Sequence, residues 1–389
     1  MYPTISDLIK DIFGIYIPLP IQSFGFFVAV SFLFATYFVM SEMKRKEKEG
    51  LIHSFMKKVL KGKPASAQEI VLSAIFGFII GFKLLGIILD YSEFSNNPQT
   101  YVFSSQGNIV GGILLAAIFA YMRYRDKHKQ KLEKPVWIEE TVRPHHLTGN
   151  IILLGALAGI IGAKIFHNLE NIDEFMADPV EALLSFSGLT FYGGLIVAAI
   201  TIIWYAKKNK IPPLVMCDIA APAIMIAYAI GRIGCQMAGD GDWGIVNAVA
   251  KPGWMSFLPD WLWSYSYPHN VLSEGIPIPG CVGKHCMMLP QPVYPAPFYE
   301  TIMCTILFLV LWFIRKKIKT PGVLFSIFLI MNGVERFFIE KIRVNTKYHI
   351  FGAGITQAEI ISTILFFVGL AGLWYLLYYK KKKNIMKEV

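Results

Sequence analysis

Residues 70–89 read IVLSAIFGFIIGFKLLGIIL, and Lys83 is the single charged residue among them. A helix of about 20 residues is long enough to cross the ~30 Å hydrocarbon core of a bilayer. The whole chain shares this character: of its 389 residues 54% are hydrophobic and only 16% charged, with a mean hydropathy of +0.49. Soluble domains carry roughly 25% charged residues, and disordered chains are still more polar. The composition therefore predicts a polytopic membrane protein and excludes a disordered one.

Apolar runs of similar length follow one another along the chain and predict an all-α fold of about nine transmembrane helices. We expect residues 1–389 to form one integral membrane domain. The runs are Leu19–Met40, Ile70–Leu89, Ile109–Tyr124, Asn150–Leu169, Phe191–Ala206, Val215–Gly234, Pro297–Ile314, Pro321–Ile339 and Ala358–Tyr379.

Lys and Arg are concentrated in every second loop between these runs. Loops rich in Lys and Arg stay in the cytoplasm, so the alternation predicts an N-terminus outside and a C-terminus in the cytoplasm. An outer loop with Lys341 and Arg343 is the exception. The same clustering accounts for the net charge of +10, so we expect no nucleic-acid partner. The basic segments are Lys44–Lys63, Arg123–Lys134, Lys207–Lys210, Arg315–Lys319 and Lys380–Lys383.

Part of the sequence recurs at a spacing of roughly eighty residues. Residues 79–83 (IIGFK) and 111–113 (GGI) return as residues 160–164 (IIGAK) and 193–195 (GGL), with a polar or acidic loop inside each pair. This pattern favours a tandem duplication of a helical hairpin, with residues 70–134 as the inserted copy. The alternative is chance similarity between glycine-rich membrane helices.

The longest non-helical stretch, residues 235–296, is expected on the outer side as a periplasmic or interfacial loop region. It contains several tryptophans, whose amphipathic rings are typical of the headgroup layer. Cys281 and Cys286 lie within it. They form either a small disulfide loop, if the compartment is oxidising, or two free thiols.

Two arginines stand at the outer ends of predicted spans. Arg232 lies in residues 231–244, GRIGCQMAGDGDWG, and Arg336 in residues 332–343, NGVERFFIEKIR, where Glu340 and Arg343 follow at helical spacing on the same face. Such residues either snorkel and neutralise one another or form a site, because ionisable groups within spans are functional candidates. Two guanidinium groups suit an anion, and the abundant anion in that layer is a lipid phosphate.

Two further elements are predicted at the same leaflet. Residues 189–196, LTFYGGLI, contain Tyr192 and the glycine pair Gly193–Gly194, and residues 294–300, YPAPFYE, contain Tyr299 and Glu300. Paired glycines also allow close helix packing without any ligand. Together the four elements indicate a membrane-embedded site that handles an anionic phospholipid.

In order and spacing, these elements resemble the bacterial prolipoprotein diacylglyceryl transferases. The resemblance covers the first span and then roughly residue 184 onward. It implies transfer of the diacylglyceryl group of phosphatidylglycerol to the lipobox cysteine of preprolipoprotein signal peptides, with release of glycerol 1-phosphate. Such enzymes act at the outer face of the bacterial inner membrane on membrane lipid, and the resemblance implies no metal and no cofactor.

By matching position, the resemblance assigns Arg232 and Arg336 to the phosphate. Asp240 and Gly244 fall on the family's acidic and glycine loop positions, and Glu340 falls on its helix glutamate. The residues expected to carry catalysis are Arg232, Arg336, Tyr192, Asp240 and Glu340. Those expected to bind substrate are Arg232, Arg336, Gly193, Gly194, Gly244, Tyr299, Glu300 and Arg343.

The sequence departs from the family pattern at several positions. Tyr192 stands where the family often has His, Cys235 where it has Asn, and Tyr294 where it has the His of a His-Pro pair. Tyr, with an ordinary pKa near 10, is a poor base at neutral pH. Either Tyr192 orients the substrate, or an arginine lowers the pKa of the substrate thiol, which we favour, or the chain is a divergent paralogue.

Two other classes of protein fit parts of the pattern. A lipid or small-solute transporter would explain the duplication, but it predicts polar residues near the middle of several helices, whereas here they gather at one end. A non-catalytic paralogue would explain the missing histidine.

Overall fold

The structure, a computed structural model, describes residues 1–19, 21–96, 98–184, 190–350 and 353–379. Most of these residues are helical, and each apolar run of the sequence contains one long helix. The basic tail Lys380–Lys383 lies outside the described residues. In chain order the helices are α1 (Ile5–Phe13), α2 (Ser23–Lys48), α3 (Ala67–Leu89), α4 (Tyr91–Asn96), α5 (Pro98–Phe103), α6 (Ile109–Lys129), α7 (Thr148–Glu170), α8 (Ile172–Ala177), α9 (Pro179–Leu184), α10 (Phe191–Lys208), α11 (Pro213–Ala238), α12 (Ala296–Ile314), α13 (Val323–Glu340) and α14 (Gln357–Trp374).

Short antiparallel ribbons and single turns connect the helices. The ribbons pair β1 (Phe55–Lys61) with β2 (Val136–Val142), β3 (Ile276–Pro277) with β4 (Met287–Met288), and β5 (Lys347–Ile350) with β6 (Ala353–Thr356). Single 3-10 turns occupy Pro144–Leu147, Gly253–Met255 and Asp260–Leu262, and a π-helical turn occupies Tyr375–Tyr379.

Within the described residues, 6 helical segments are long and apolar enough to cross a membrane. Helices α6, α10 and α13 are not among them, and each carries charged residues near its C-terminal end. The fold is that of a helical, polytopic membrane protein. The nine spans and their orientation stay predictions. The six segments are Ser23–Lys48, Ala67–Leu89, Pro144–Glu170, Pro213–Ala238, Ala296–Ile314 and Gln357–Tyr378.

The chain divides into two compact units, and the smaller one comprises Thr4–Gln22 and Phe55–Val142. Its centre is the hairpin of α3 and α6, which touch at glycines: a Cβ atom on Gly81 would lie 2.1 Å from the carbonyl oxygen of Gly111. The ribbon of β1 and β2 closes this unit, since Phe55 pairs with Val142. The predicted insertion, residues 70–134, therefore lies between two strands that meet.

The larger unit comprises Met1–Pro3, Ser23–Ser54 and the chain from Arg143 onward. It contains the second hairpin, α7 and α10, where a Cβ atom on Gly162 would lie 2.6 Å from the carbonyl oxygen of Gly193. The glycine contact thus falls at matching positions in both hairpins. This packing supports the duplication, which we retain as a proposal.

Helices α2, α11, α12, α13 and α14 also belong to the larger unit, with a core between α11, α12 and α13. The buried carboxylate of Asp218 on α11 accepts hydrogen bonds from the backbone N–H groups of Gly322 and Phe325, at 2.8 and 2.9 Å. These bonds satisfy free donors at the N-terminus of α13. They fix α13 against α11 at the end of the helix opposite Arg336.

The loop region between α11 and α12, whose outer position stays a prediction, begins at Gly239 and not at Cys235, because α11 continues to Ala238. It has a small core of its own. Trp243, Tyr267, Leu289 and Val293 are buried against one another. A disulfide bond joins Cys281 and Cys286, which decides between the two states that the sequence left open. The region is therefore a packed layer that continues from the end of α11 to the start of α12.

Candidate active site

Glu300 lies at the centre of a cluster of three arginines. Its side chain, near the N-terminal end of α12, is 0% exposed. Arg232 Nε lies 3.0 Å from its Oε2, the terminal nitrogen of Arg336 donates to Oε1 at 2.9 Å, and that of Arg343 lies 3.2 Å from both oxygens. A buried carboxylate is costly unless it is paired and hydrogen-bonded. Glu300 therefore draws α11, α13 and the segment after α13 together at one point.

Arg232 reaches this point from the last two turns of α11. Its guanidinium group forms an ion pair with Asp242, and it lies over the ring of Tyr228 at 5.1 Å from the centroid. Helix α11 ends six residues later, because Gly239 adopts the left-handed conformation with φ of 64°. The loop therefore turns back and carries Asp242 onto the same arginine.

Arg336 and Glu340 meet as the helical spacing predicts, but α13 ends at Glu340, so the prediction that Arg343 continues the same helix face is wrong. Arg336 lies 3.0 Å from Glu340, and Arg343 forms an ion pair with Asp242. The sequence left open whether this stripe neutralises itself or forms a site. The structure shows that its two arginines also reach Glu300 on α12, so the stripe joins a larger cluster.

Gly244 holds the acidic loop against this cluster. Its backbone N–H donates to the carbonyl oxygen of Tyr294 at 2.8 Å, and the next N–H donates to Ile342 at 2.7 Å. A Cβ atom at Gly244 would lie 2.7 Å from the Ile342 carbonyl oxygen. A side chain there would push the loop away, so Gly244 acts through close backbone packing.

The two aspartates of the loop have different positions. Asp242 pairs with Arg232 and Arg343, whereas the described contacts of Asp240 are with the backbone N–H of Asp242, at 3.4 Å, and with Cys235. Burial raises the pKa of Asp240, and the Asp242 carboxylate adds to the rise. Burial also opposes ionisation of Asp242, but Arg232 and Arg343 outweigh it and hold its pKa below the usual range.

Sequence reasoning missed Asp242 and Tyr228. The motif GDGDW offers two acidic residues, and only the path of the loop decides which of them reaches the arginines. Tyr228 precedes Arg232 by one helical turn, which is a spacing that brings side chains together. This spacing is the sequence signal that could have identified Tyr228 as a neighbour of Arg232.

The remaining predicted residues lie around the cluster. Tyr192 is partly buried at the start of α10 and within electrostatic range of Arg336, Glu340 and Arg343. Gly193 and Gly194 are buried against α7. Tyr299 donates its hydroxyl hydrogen to the Leu262 carbonyl oxygen at 2.8 Å.

The cluster keeps donors for a further anion. Each guanidinium group has about five N–H donors, more than the contacts above use. The side chains of Arg232 and Arg336 are 15% and 19% exposed, whereas that of Arg343 is 6% exposed. Arg232 and Arg336 are therefore the two that an outside ligand can reach.

Cys235, Asp240 and Asp242 bring potential metal-ligand atoms within 4.8 Å of one another. Two guanidinium groups already pair with Asp242, and their charge opposes a cation at this place. The expectation of a metal-free site stays a prediction.

The family model described as prolipoprotein diacylglyceryl transferase matches residues 129–375. Curated relatives named phosphatidylglycerol–prolipoprotein diacylglyceryl transferase include one from Vibrio vulnificus, 28% identical over 240 residues, which are 60% of this chain and 74% of the relative. Another, from Dehalococcoides mccartyi, is 28% identical over 244 residues (62% and 80%), and one from Clostridium tetani is 26% identical over 223 residues (57% and 77%). The matched region contains every residue of the cluster, and this chain belongs to the prolipoprotein diacylglyceryl transferase family.

Proposed function

We propose that this protein transfers the diacylglyceryl group of phosphatidylglycerol to the lipobox cysteine of preprolipoproteins and releases glycerol 1-phosphate. This reaction is the first step of lipoprotein maturation. The observation that carries the proposal is the meeting of Arg232 and Arg336, from separate helices, on the single carboxylate of Glu300. Family membership supports it independently.

In the proposed reaction the substrate thiol loses its proton and the sulfur attacks the glyceryl carbon that bears the phosphate oxygen. The new carbon–sulfur bond forms as the carbon–oxygen bond breaks, and the phosphate leaves with the electron pair. Charge on the leaving phosphate grows during this step. Preorganised guanidinium groups stabilise such developing charge strongly where water is excluded, which is the role we assign to Arg232 and Arg336.

The other charged residues hold the two arginines in place. Glu300, Glu340 and Asp242 each pair with at least one guanidinium group, and Arg343, the most buried of the three arginines, braces Glu300 and Asp242. We therefore assign positioning to Glu300, Glu340 and Arg343. For Gly193, Gly194, Gly244 and Tyr299, the observed contacts are packing contacts that shape the site; their direct contact with substrate stays a prediction.

Tyr192 stands where the family often has a histidine, and the residues assigned to the site above include no histidine that could receive the thiol proton. We propose that Arg232 or Arg336 lowers the pKa of the incoming thiol, as nearby cations do for other thiols, so that the thiol ionises and its proton passes to water. Tyr192 then orients substrate beside Arg336 instead of accepting the proton. Replacing Tyr192 with Phe should leave the rate within about threefold, measured as glycerol phosphate release; a loss of a hundredfold would place its hydroxyl in the proton transfer.

We place the site towards the periplasmic leaflet of the bacterial inner membrane, in a protein of nine spans with the N-terminus outside. Basic loops at the opposite helix ends support this orientation. In this arrangement phosphatidylglycerol and the signal peptide, both anchored in the membrane, reach the arginines sideways from the lipid.

The decisive experiment incubates the purified protein with phosphatidylglycerol vesicles and a lipobox peptide. We expect glycerol phosphate release and a peptide whose mass has increased by one diacylglyceryl group. A peptide with Ser in place of the lipobox Cys is the matched control and should give neither product. A folded, membrane-inserted protein that produces neither with the Cys peptide would reject the reaction and favour a non-catalytic paralogue.

A further inference from the structure

Tyr228 contacts both partners of the central ion pair. Its hydroxyl donates to Glu300 Oε1 at 2.9 Å, and its ring lies beneath the Arg232 guanidinium at 5.1 Å from ring centroid to Cζ. A terminal nitrogen of Arg232 also lies 3.5 Å from the hydroxyl oxygen. One side chain thus touches the carboxylate at the centre of the cluster and one of the two arginines that an outside ligand can reach.

Glu300 Oε1 is a shared acceptor. Besides the Tyr228 hydroxyl, it takes a terminal nitrogen of Arg336 at 2.9 Å and one of Arg343 at 3.2 Å. A carboxylate oxygen has about two lone-pair sites, so donors to one oxygen compete. The hydroxyl therefore occupies acceptor capacity that would otherwise bind the arginines more tightly.

A lipid phosphate has to compete with Glu300 for the same guanidinium groups. The more strongly Glu300 holds Arg232 and Arg336, the fewer of their N–H groups can turn to the phosphate. The contact with the Tyr228 ring favours the phosphate in this competition, because a cation–π interaction holds the guanidinium plane without using its N–H donors.

We propose that Tyr228 is a positioning residue that sets the affinity of the site for the phosphate of the donor lipid. Its ring holds Arg232 in place, and its hydroxyl weakens the binding of the arginines to Glu300. This inference rests on the proposed function for the identity of the lipid, phosphatidylglycerol. It does not involve the acceptor peptide, since Tyr228 acts through groups that we assign to the phosphate.

The two contacts can be separated by substitution. Tyr228→Phe keeps the ring and removes the hydroxyl, whereas Tyr228→Leu removes both. The matched control is Tyr267→Phe, because Tyr267 is a fully buried tyrosine whose hydroxyl also donates to a side-chain oxygen, that of Gln236 at 2.8 Å, but it lies in the core of the loop region between α11 and α12.

The experiment measures four quantities for each variant: KM for phosphatidylglycerol, KM for the lipobox peptide, kcat, and the dissociation constant for short-chain phosphatidylglycerol without peptide. We expect Tyr228→Phe to weaken lipid binding and raise the lipid KM about tenfold, and Tyr228→Leu about fiftyfold, corresponding to ~1.4 and ~2.3 kcal/mol. The peptide KM should stay within twofold. Tyr267→Phe should lower the thermal midpoint and leave all four quantities within twofold.

The outcomes separate this inference from the proposed function. An active wild-type protein whose lipid KM and lipid affinity are unchanged in both Tyr228 variants would overturn the role of Tyr228 and leave the reaction intact. An equal rise in both KM values, or the same rise in Tyr267→Phe, would also overturn it, because general loosening of the fold moves every quantity. An inactive wild-type protein that still binds the lipid, and loses that binding in Tyr228→Phe, would reject the reaction and support Tyr228.

Discussion

The two ends of α12 carry buried arginine–glutamate pairs that use the same chemistry for different purposes. At the N-terminal end, Glu300 gathers Arg232, Arg336 and Arg343. About 22 Å away, given a rise of 1.5 Å per residue, Arg315 follows the C-terminal end and pairs at 2.6 Å with Glu42, which is also fully buried. Both ends obey the rule that buried charges need partners.

The difference lies in the number of arginines that meet at the buried carboxylate. At the Arg315 end, Glu42 also accepts from Arg45 at 2.6 Å, and Arg315 donates to the Trp312 carbonyl oxygen and stacks on its ring. Two arginines share their donors among acidic and backbone partners, and Arg315 is 9% exposed. At the Glu300 end, three arginines surround one carboxylate and two of them stay partly open. We therefore expect the Glu42 carboxylate, which pairs with two arginines, to have a structural role, and the Glu300 carboxylate, which gathers three, to hold the arginines that bind ligand.

The largest expected effect comes from removing an arginine at each end. Arg232→Ala or Arg336→Ala should reduce glycerol phosphate release at least a thousandfold, because the charge on the leaving phosphate loses its main partner, while the protein stays membrane-inserted. Arg315→Ala should instead lower the amount of folded protein and the thermal midpoint, with activity per folded molecule within about threefold. Activity assays on equal amounts of folded protein distinguish the two. Near-normal activity in both site variants would reject the assignment of the site.

A smaller effect is expected from the two glutamates. Glu300→Gln removes the charge that holds three guanidinium groups together, so we expect about a hundredfold loss of activity. Glu42→Gln breaks a buried pair, which costs about 3–5 kcal/mol in other proteins, and should mainly reduce thermal stability. The measurement is kcat and thermal midpoint for both variants. If Glu300→Gln and Glu42→Gln changed kcat and the thermal midpoint in the same way, the two ends of α12 would not differ in function.

The neighbouring aspartates give an effect that depends on pH. The pKa of Asp240 is raised, so its contribution to stability is full below its ordinary pKa of ~3.9 and is lost as pH rises through the raised value. Wild-type protein should therefore lose thermal midpoint as pH rises above ~4, and Asp240→Asn should flatten this fall.

The pH dependence of stability expected from Asp242 is opposite to that expected from Asp240. Its pKa is lowered, so its contribution is present above the ordinary value and is lost only as pH falls through the lowered one. Asp242→Asn should lower the midpoint by a constant ~3 °C from pH 5 to pH 8, equivalent to about 1 kcal/mol for a domain of this size. A shared pH dependence in the two variants would mean that the loop aspartates are interchangeable.

The sequence named Glu300 and its three arginines as candidate residues, but it did not show that they pair with one another. Arg336 and Glu340 could be placed together because helical spacing determines neighbours over a few residues, whereas Arg343 lies beyond the end of α13 and reaches the cluster through the following turn. The pairing of Glu300 with Arg232, or of Glu42 with Arg315, joins residues far apart in the chain, and no local period encodes it. The resemblance to the family selected the right segments, but it did not show that Asp242, two residues after the expected Asp240, is the aspartate that pairs with Arg232 and Arg343.

The smallest effect is expected from removing the inserted copy altogether. The residues described above as pairing at either end of α12 all belong to the larger unit. The match to the family begins only at residue 129. Phe55 and Val142 are paired across β1 and β2. An Asn-Gly turn that replaces residues 56–141 can therefore join them directly, as in a two-residue hairpin.

The shortened protein should keep its activity within about threefold, measured as glycerol phosphate release per folded molecule. The control replaces Gly81 with Leu, which should disrupt the contact between α3 and α6 at Gly111 and leave the larger unit as it is. A folded but inactive excision variant would show that the copy contributes to the reaction. The smaller unit would then also have to supply reactive groups, and a comparison of the two ends of α12 alone would not account for the reaction.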